Sequence, residues 1–464
     1  MPASDQILSV AQMRAAEDRL IAGGISVEAL MDQAGQGAAD WVWRIAGTRR
    51  VTVLCGPGNN GGDGYVLAEA IRRRGGDVCV VAPYDARTDA ARNARQLYQG
   101  EIVDPEADIS GEVFVDCLFG SGLTRPLSEQ DEALLLRLAE AHRLRVAVDL
   151  PSGIAADTGA LLSSIPAFDL TLALGAWKFA HFLMPAVAGM GSLRLVEIGI
   201  DPVSGAARRL TAPRIIAPAG SAHKYTRGML AIVGGEMPGA AVLAATAAQG
   251  AGAGYVRVVG ERPDNLPIDL VADERALSDA LDDRRTGAIL VGPGLGRDHA
   301  AAERLAAALH APAPCVLDAD ALMLLDASSM ADRTAPAIAT PHDGELAALE
   351  RAFVCDGSLP KPQRAMNLAA RSGMVIVAKG PDTIVASPDG RVVLADRGNS
   401  WLSTAGTGDV LSGTIASRLA TGLEAFTAAC EGVWLHAHAA RRCPPAFTAA
   451  DLAKAVPQAL ADCL

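Results

Sequence analysis

The sequence predicts two α/β domains, the first of them built on a mostly parallel, doubly wound sheet. The chain has 464 residues, which is too long for one ordinary compact domain. Short β-branched runs alternate with longer segments rich in Ala, Leu and Arg in both halves, as expected of strand–helix units. Residues 201–220 contain three prolines and no periodicity, which is typical of a linker. We therefore expect domains at residues 1–210 and 211–464.

The first half contains six strand-like runs. Helical segments are predicted between them, for example over residues 65–74 and 131–143. Strands joined by such crossovers run parallel, which gives the doubly wound arrangement. The predicted strands are residues 51–55, 78–82, 113–117, 145–150, 170–174 and 193–198.

The second half repeats this alternation with eight predicted strands. Its longest uncharged stretch, residues 237–256, raises the question of a membrane span. Several glycines, Gln249 and few large aliphatic residues favour a glycine loop followed by a buried helix instead. The predicted strands are residues 229–233, 255–259, 288–291, 315–317, 337–339, 375–378, 384–386 and 392–394.

The composition excludes several function classes. A net charge of −12 and a pI near 5.2 disfavour a nucleic-acid partner. The eight cysteines are scattered, without a CxxC pair or a zinc-like Cys/His spacing. Those within predicted strands are expected to be buried thiols, which fits a reducing cytoplasm. The N-terminus lacks a basic region followed by an apolar one, so no signal peptide is predicted. The cysteines in predicted strands are Cys55, Cys79, Cys117 and Cys315.

Three polar loops follow predicted strands of the first half. GPGNNGGDG (residues 56–64) joins a strand to a helix, where glycine N–H groups can approach an anion. DCLFGSGLTRP (116–126) and VDLPSG (148–153) lie at two further strand ends. Ligands of open α/β sheets bind beyond the carboxyl ends of the strands, so we expect all three loops in one cleft. A ligand-free tight turn is the alternative for the first loop taken alone.

These loops, preceded by LMDQAG (residues 30–35), resemble the NAD(P)HX epimerase family over about residues 5–205. The resemblance implies that Asn60, Asp116 and Ser152 bind K⁺, whose coordination by oxygen atoms suits these side chains. Asp149 at its strand end is the candidate acid–base residue. The implied substrate contacts are Asn59, Asn60, Gly61, Gly62, Asp63, Gly120, Ser121, Gly122, Leu123, Thr124, Arg125, Pro126 and Asp149.

Some of these positions have other interpretations. Ser121 stands where the family commonly has threonine, and Arg125 where it often has lysine; arginine keeps the charge but does not readily lose a proton. Asp149 alternatively caps the Pro-Ser-Gly turn. Lys178 follows an apolar strand and either approaches the same cleft or is a solvated residue at a strand end.

In the second half, AGTGDVLSG (residues 405–413) precedes a helical segment. Glycines at a helix N-terminus supply N–H donors and a positive end for a phosphoryl group. Asp409 at that position is a candidate general base, with a helix N-cap as the alternative. VGPGLG (291–296), TPHDGE (340–345) and AKGPDT (378–383) follow predicted strands and indicate a second nucleotide cleft.

GTGD downstream of a KG-x-x-T segment resembles the ribokinase-like superfamily. With HKYTRG (223–228) and GGEMPGA (234–240), the resemblance narrows to the ADP- or ATP-dependent NAD(P)HX dehydratase family, over about residues 212–464. That family usually reads KGAGT; here Pro381 removes an N–H donor and Asp382 adds a negative charge. His342 alone would be a structural histidine more often than a ligand. The implied adenine-nucleotide contacts are Lys379, Gly380, Pro381, Asp382, Thr383 and Gly408, and the implied substrate contacts are Ala240, Gly294 or Gly296, His342 and Asp409.

The resemblances together imply a bifunctional repair enzyme for hydrated NADH and NADPH. The first domain would interconvert the R and S hydrates with K⁺. The second would dehydrate the S form using ADP or ATP, with Mg²⁺ inferred from the chemistry of phosphoryl transfer. We expect small-molecule substrates (NADHX, NADPHX and ADP), no nucleic-acid or membrane partner, a cytoplasmic location and a homo-oligomer.

Two alternatives stay open at this point. The second domain alternatively phosphorylates a vitamin precursor or a sugar, in which case a stable phosphorylated product would accumulate. The first domain alternatively is a nonenzymatic nucleotide-sensing or protein-binding module. Its retention of Asn60, Asp116, Asp149 and Ser152 together argues against that.

Overall fold

The computed structural model describes residues 3–264 and 266–464. The chain divides into two compact units, Met1–Arg208 and Arg209–Leu464. Both units are α/β structures with largely parallel sheets, so the predicted fold class is confirmed.

The first unit is built on a seven-stranded parallel sheet with the strand order β4-β3-β2-β5-β6-β7-β9. The strand order reverses between β2 and β5, which is where open α/β sheets bind ligands. A short strand, β1, pairs in parallel with β8 and antiparallel with β10. The elements are β1 (Gln6–Leu8), α1 (Val10–Ala22), α2 (Val27–Ala46), β2 (Val51–Cys55), α3 (Asn59–Arg73), β3 (Val78–Val81), α4 (Asp89–Leu97), β4 (Glu101–Val103), β5 (Gly111–Cys117), α5 (Glu129–Glu140), β6 (His142–Val148), β7 (Leu170–Leu174), β8 (Trp177–Lys178), β9 (Ser192–Val196) and β10 (Ala207–Arg209).

Helix α3 begins at Asn59, six residues before the predicted start, so two thirds of the glycine-rich segment is helical. Close packing explains the difference. A Cβ at Gly61 would lie 1.9 Å from the Gly56 carbonyl oxygen, and one at Gly62 would lie 2.5 Å from the Met31 sulfur. These glycines therefore let the first turn of α3 approach its neighbours.

Strand β6 begins at His142, a residue that the sequence assigned to the preceding helix. The His142 ring is buried, with Nε2 2.8 Å from Thr52 Oγ1 of β2. No local sequence pattern predicts this contact, because its two residues are 90 positions apart in the sequence.

Within residues 209–264 and 266–464, the strands of the second unit lie in the order β13-β12-β11-β14-β15-β16-β17-β18-β19. All pairs from β13 to β17 are parallel, and β18 and β19 are added antiparallel. The elements are β11 (Met229–Val233), α6 (Pro238–Gly250), β12 (Tyr255–Val259), β13 (Val271–Asp273), α7 (Leu277–Leu281), β14 (Thr286–Val291), α8 (His299–His310), β15 (Cys315–Leu317), α9 (Asp320–Leu324), α10 (Ala327–Met330), β16 (Ala337–Ala339), α11 (Asp343–Ala352), α12 (Lys361–Ser372), β17 (Val375–Ala378), β18 (Ile384–Ala386), β19 (Val392–Leu394), α13 (Thr407–Ala420), α14 (Ala425–Arg442) and α15 (Ala449–Ala461).

Residues 237–256 form mainly α6, an alanine-rich buried helix, as predicted. In the part of the chain that the structure describes, no helix is both long and apolar enough to cross a membrane. The four cysteines of the predicted strands are buried, and all eight cysteines are free thiols.

Helices α6 and α13 pack through small residues. A Cβ at Gly413 would lie 2.1 Å from the Ala244 carbonyl oxygen, and one at Gly406 would lie 2.8 Å from Leu243. Further along, the Ser417 hydroxyl donates to the Ala248 carbonyl oxygen at 2.7 Å. The two helices therefore run in the same direction, and their N-termini lie at the same end.

We predict that Gly413→Ala lowers the free energy of unfolding by about 1–3 kcal/mol, because the added methyl group meets backbone that cannot rotate away. Urea unfolding monitored by circular dichroism measures the change. Gly239→Ala in α6 is the matched control, because a Cβ there meets nothing within 4 Å. Equal unfolding midpoints for the two variants would contradict this packing.

Candidate functional site

A cavity of about 1050 Å³ lies at the carboxyl edge of the first unit's sheet, beside the reversal in strand order. Loops after β2, β5 and β6 line it together, as the sequence predicted. Lys178 also lines it, which settles the choice left open above. Gly61 and Gly62 lie in the buried first turn of α3 and are not among the lining residues. The predicted site residues that line the cavity are Asn59, Asn60, Asp63, Gly120, Ser121, Gly122, Leu123, Thr124, Arg125, Pro126 and Asp149.

Asp149 is held in an unusual backbone conformation directly after β6, with φ at 65°. Its Oδ1 lies 2.5 Å from Lys178 Nζ, and its Oδ2 accepts the Ser121 N–H at 2.8 Å. Burial raises the pKa of Asp149, but the charge and hydrogen bond of Lys178 outweigh burial, and the pKa lies below its ordinary value. Asp149 is therefore an ionised carboxylate facing the cavity.

His181 fixes both members of this ion pair. Its Nδ1 accepts the Lys178 backbone N–H at 2.9 Å, so its proton is on Nε2, which donates to the Asp149 carbonyl oxygen at 2.8 Å. Burial, with the nearby Lys178 charge, lowers the pKa of His181 to about 4. The neutral ring thus braces the strained Asp149 backbone without adding charge.

Two further acids near this pair, Asp63 and Glu17, have raised pKa values, whereas that of Asp149 is lowered. Burial and the charges of Asp149 and Glu17 raise the pKa of Asp63 well above its ordinary value. Burial also raises the pKa of Glu17, a residue of α1 that sequence reasoning missed. The cavity therefore combines an ionised aspartate with acids whose pKa values are raised, and such separated pKa values are expected of an acid–base site.

Asn60 is exceptional among the cavity residues. Its amide oxygen and nitrogen are both buried and have no hydrogen-bond partner within residues 3–264 and 266–464. A Cβ at Gly120 would lie 3.3 Å from Asn60 Oδ1 and 2.8 Å from Asp149 Oδ2. Glycine at position 120 thus keeps open a space that the amide and the carboxylate both face.

Asp116 and Ser152 are fully buried, and neither is among the residues that line the cavity. Asp116 accepts both the Ser152 hydroxyl, at 2.7 Å, and the Ser152 N–H, at 2.8 Å. Ser152 Oγ accepts the Phe119 N–H at 2.8 Å. Burial raises the pKa of Asp116 to about 6 in spite of these hydrogen bonds. The pair ties the loop after β5 to the loop after β6.

In the second unit, Asp409 lies in the first turn of α13, behind Gly406 with φ at 92°. Burial and the charge of Asp318 raise the pKa of Asp409 to about 7, although Lys379 opposes the shift. An aspartate with such a pKa is half ionised near neutral pH and can both accept and return a proton.

Lys379 connects this aspartate to two other acids at the carboxyl edge of the sheet. Its Nζ lies 2.7 Å from Asp318 Oδ1 and 3.7 Å from Glu345 Oε2. Burial lowers the pKa of Lys379, but the charges of Asp318 and Glu345 outweigh burial and raise it. A Cβ at Gly408 would lie 3.6 Å from this ammonium, so Lys379 lies beside the N-terminal turn of α13.

His342 is the N-cap of α11, the structural role that the sequence offered as its alternative. Its Nδ1 accepts the Gly344 N–H at 3.0 Å, and the backbone N–H of His342 donates to Glu345 Oε2 at 2.8 Å. The ring is otherwise exposed, and its Nε2 lies 3.3 Å from Glu345 Oε1. Both ring nitrogens therefore have protein partners, and only the exposed face of the ring remains for a ligand.

The predicted substrate-contact residues of the second unit also cluster. A Cβ at Gly294 would lie 3.1 Å from that of Ala240, in the first turn of α6. Gly296 donates its N–H to Asp320 Oδ2 at 3.1 Å. Because α6 and α13 begin at the same end, these residues and Asp409 share one edge of the unit.

The nucleotide loop has a feature that the sequence did not indicate. Asp382 is paired with Lys361, whose Nζ lies 2.6 Å from Asp382 Oδ1. Thr383 donates its hydroxyl to the Gly380 carbonyl oxygen at 2.8 Å, and the Pro381 carbonyl oxygen accepts the Gly398 N–H at 2.9 Å. The negative charge that this chain adds to the loop therefore has its own counterion.

Sequence reasoning missed three residues near the sites, and only one of them has a position in the sequence that could have identified it. Asp318 directly follows the predicted strand 315–317 at the edge where the other loops gather, so its position could have identified it. Glu17 and Lys361 lie in helices outside every motif, and only the fold places them at the sites. Within the described residues, no group of three or more His, Cys, Asp or Glu side chains is arranged to hold a metal ion.

Comparison with known proteins agrees with two separate catalytic units. Residues 230–461 match a family model described as NAD(P)H-hydrate dehydratase, and residues 27–180 match one described as YjeF-related protein N-terminus. Bifunctional NAD(P)H-hydrate repair enzyme Nnr from Salinibacter ruber is 34% identical, covering 98% of this chain and 96% of its own. The protein of the same name from Mycobacterium tuberculosis is 35% identical, covering 91% and 90%.

A solved structure, an ADP/ATP-dependent NAD(P)H-hydrate dehydratase from Bacillus subtilis, is 28% identical with a TM-score of 0.48. It covers 54% of this chain and 95% of its own. Two α/β units, each with polar loops and a buried aspartate at one sheet edge, define a bifunctional enzyme of the nucleotide-binding α/β class. The relatives matched along almost the whole chain specify it further: the chain belongs to the family of bifunctional NAD(P)H-hydrate repair enzymes.

The buried ion pair of the first unit makes a testable prediction. Lys178→Met should lower the free energy of unfolding at neutral pH by about 3–5 kcal/mol, because it leaves the Asp149 carboxylate buried without its counterion. The double variant Lys178→Met/Asp149→Asn should recover most of this loss. Urea unfolding monitored by tryptophan fluorescence measures both.

Lys454→Met is the control, since Lys454 is an exposed lysine. Asp149 has a lowered pKa in the folded protein, so its ion pair stabilises the fold above the pKa of the unfolded chain and is lost as the pH falls through the folded pKa. A Lys178→Met variant as stable as the control at pH 7 would show that the pair contributes nothing.

Proposed function

We propose that this chain repairs hydrated NADH and NADPH with two active sites. Residues 1–210 epimerise R and S NAD(P)HX. Residues 211–464 dehydrate the S form at the expense of ADP or ATP, giving AMP and phosphate when ADP is used. The observation that carries the proposal is Asp409, whose pKa of about 7 and place at the N-terminus of α13 suit a base beside a phosphoryl group.

In the dehydratase, Asp409 removes the proton of the ring hydroxyl as that oxygen attacks the terminal phosphorus of the nucleotide. The N–H groups of the first turn of α13 and the nearby Lys379 ammonium stabilise the transferred phosphoryl group. The carbon–oxygen bond to the phosphate then breaks, and a proton leaves the adjacent ring carbon. These steps restore the dihydropyridine and release phosphate.

The two sides of this site divide the binding between them. The nucleotide is assigned to Lys379, Gly380, Pro381, Asp382, Thr383 and Gly408. The hydrated nicotinamide is assigned to the edge formed by Ala240, Gly294, Gly296, His342 and Asp409. This division is supported by Lys379, which lies beside Gly408 and near Asp409 and so joins the two sides.

Mg²⁺ would neutralise the phosphate charge in this reaction. Proteins usually hold it through one or two carboxylates together with substrate phosphates. Asp318 fits that requirement, because its buried carboxylate lies close enough to Asp409 for its charge to raise the pKa of that residue. Asp318 is the residue that would hold Mg²⁺, which leaves Asp409 to act as the base.

In the epimerase, Asp149 accepts the proton of the ring hydroxyl, and the carboxyl of Asp63 supplies one to the ring nitrogen as the carbon–nitrogen bond opens. Rotation about the adjacent carbon–carbon bond and closure on the other face give the opposite epimer. Lys178 keeps Asp149 ionised, and burial raises the pKa of Asp63, which favours its proton-donating form. The separated pKa values of these two acids support their separate roles.

K⁺ would supply positive charge beside Asp149 and hold an oxygen of the substrate. Asn60, Asp116 and Ser152 are its proposed ligands, since they offer amide, carboxylate and hydroxyl oxygens. The unpartnered amide of Asn60 supports this assignment, because a buried oxygen without a donor is costly and a cation would satisfy it. We further propose a cytoplasmic location, consistent with the free thiols, and a homo-oligomeric state.

Asp409→Asn should reduce dehydration by about 10²–10⁴-fold while epimerisation continues. In the wild type, kcat/KM for dehydration should fall tenfold per pH unit below about pH 7 and level off above it, because the base must be ionised. Chromatography of mixed R and S hydrates with ADP follows both reactions in one sample, and epimerisation is the internal control.

The asparagine variant should also be at least as stable as the wild type at pH 8. Burial raises the folded pKa of Asp409 above that of the unfolded chain, so ionising it disfavours the folded state. Full dehydratase turnover by Asp409→Asn would refute the assignment. A stable phosphorylated product without regenerated cofactor would favour a small-molecule kinase instead.

Asn60→Leu tests the cation site. In the wild type, K⁺ should accelerate epimerisation and raise the Tm relative to choline at equal ionic strength, because a ligand bound only by the folded state stabilises it. The variant should lose both effects while dehydration continues. Asp409→Asn, which leaves the first unit intact, should keep both. A wild-type protein insensitive to K⁺ would exclude this cation.

A further inference from the structure

Lys361 is a buried cation that no motif includes and that the proposed reaction does not use. It is the first residue of α12, and its side chain is 13% exposed. The N-terminus of a helix carries partial positive charge, so a lysine there is electrostatically unfavourable. A compensating interaction is therefore required to hold it in place.

That interaction comes from the proposed nucleotide loop, residues 379–383. Lys361 Nζ lies 2.6 Å from Asp382 Oδ1 and donates to the carbonyl oxygens of Lys379, at 3.1 Å, and Asp382, at 3.2 Å. All three acceptors belong to the loop. The ammonium therefore bonds to the loop at both ends, with no other element intervening.

The loop is shaped around this ammonium. Gly380 has φ at 157°, and a Cβ there would lie 2.6 Å from Lys361 Nζ and 2.8 Å from Asp382 Oδ1. The ammonium and its counterion thus occupy the space that any side chain at position 380 would need.

The choice of lysine is informative in this chain. Of its 41 Lys and Arg residues only five are lysines, and three of those form largely buried ion pairs at the two sites. An ammonium is a compact donor of three hydrogen bonds, whereas a planar guanidinium is larger. Three acceptors around a single point match the ammonium.

We propose that Lys361 is a positioning residue for the adenine nucleotide: it braces loop 379–383 from α12 and binds Asp382 so that this carboxylate does not repel the phosphates. The inference rests on the proposed nucleotide site of the second unit. Lys379 Nζ, held 2.7 Å from Asp318 Oδ1, is then the cation of this loop that meets the phosphates.

Lys361→Met should raise the KM and Kd for ADP about tenfold or more with little change in kcat, because it removes the ammonium that binds the Asp382 carboxylate and two carbonyl oxygens of the loop. The double variant Lys361→Met/Asp382→Gly removes the carboxylate as well. It should lower both constants again relative to Lys361→Met, since paired charges act as a unit. Lys454→Met, an exposed lysine, should change nothing.

The measurements are steady-state dehydration, calorimetric titration of the full chain with ADP, and hydrogen exchange of residues 379–383 without nucleotide. Lys361→Met should accelerate exchange in this loop, and the double variant should restore slower exchange. If the wild type binds no adenine nucleotide, the proposed function fails and this inference with it. If the wild type binds ADP and Lys361→Met leaves KM and exchange unchanged, or the double variant is no better than the single one, the inference alone is wrong.

Discussion

Both sites depend on one constraint of parallel sheets, which is that the strands deliver all their carboxyl ends to the same edge. In the first unit this edge brings the loop after β5 to Asp149 after β6, with the sequence distance between them covered by a single helix. In the second unit it brings Asp318, after β15, to Lys379, after β17, across 61 residues. The N-termini of α3, α6 and α11 reach the same edge, because each of these helices begins a few residues after a parallel strand has ended. Charged side chains from distant segments are thereby concentrated where backbone N–H groups point outward.

Carboxylates that are concentrated at such an edge repel one another. In this chain, largely buried lysines compensate that repulsion. Lys178, Lys361 and Lys379 each hold an aspartate at 2.5–2.7 Å. Breaking any such pair by removing one member leaves a buried charge, so each pair is fixed as a unit. The consequence is a rigid arrangement in which each aspartate has one defined environment. That environment, rather than the residue type, determines whether the acid is ionised at neutral pH.

The sequence predicted the fold class, most strand positions and the loops that line the first cavity, because these follow from local patterns of two or three adjacent elements. It did not predict the ion pair between Lys361 and Asp382, nor the buried ion pair between Lys178 and Asp149. Those contacts join residues 21 and 29 positions apart in the sequence, and a lysine at a helix start or strand end is solvated in most proteins. It also placed the start of α3 too late, since the close approach of Gly61 to Gly56 is a property of packing that composition does not display.

The two aspartates proposed as bases reach their ionisation states by opposite physical routes. Asp149 is ionised because a lysine in direct contact outweighs its burial, so its charge persists well below neutral pH. Burial and the charge of Asp318 raise the pKa of Asp409, and Lys379 only partly opposes this shift. Asp409 therefore loses its charge as the pH falls through about 7. Acidification therefore affects the second site before the first. Because the two reactions act on one pool of hydrates, the first site would keep the epimers in equilibrium under conditions where dehydration has already slowed. Under the proposed mechanism, the proton affinity of Asp409, and not the supply of the S epimer, would then limit repair in acid.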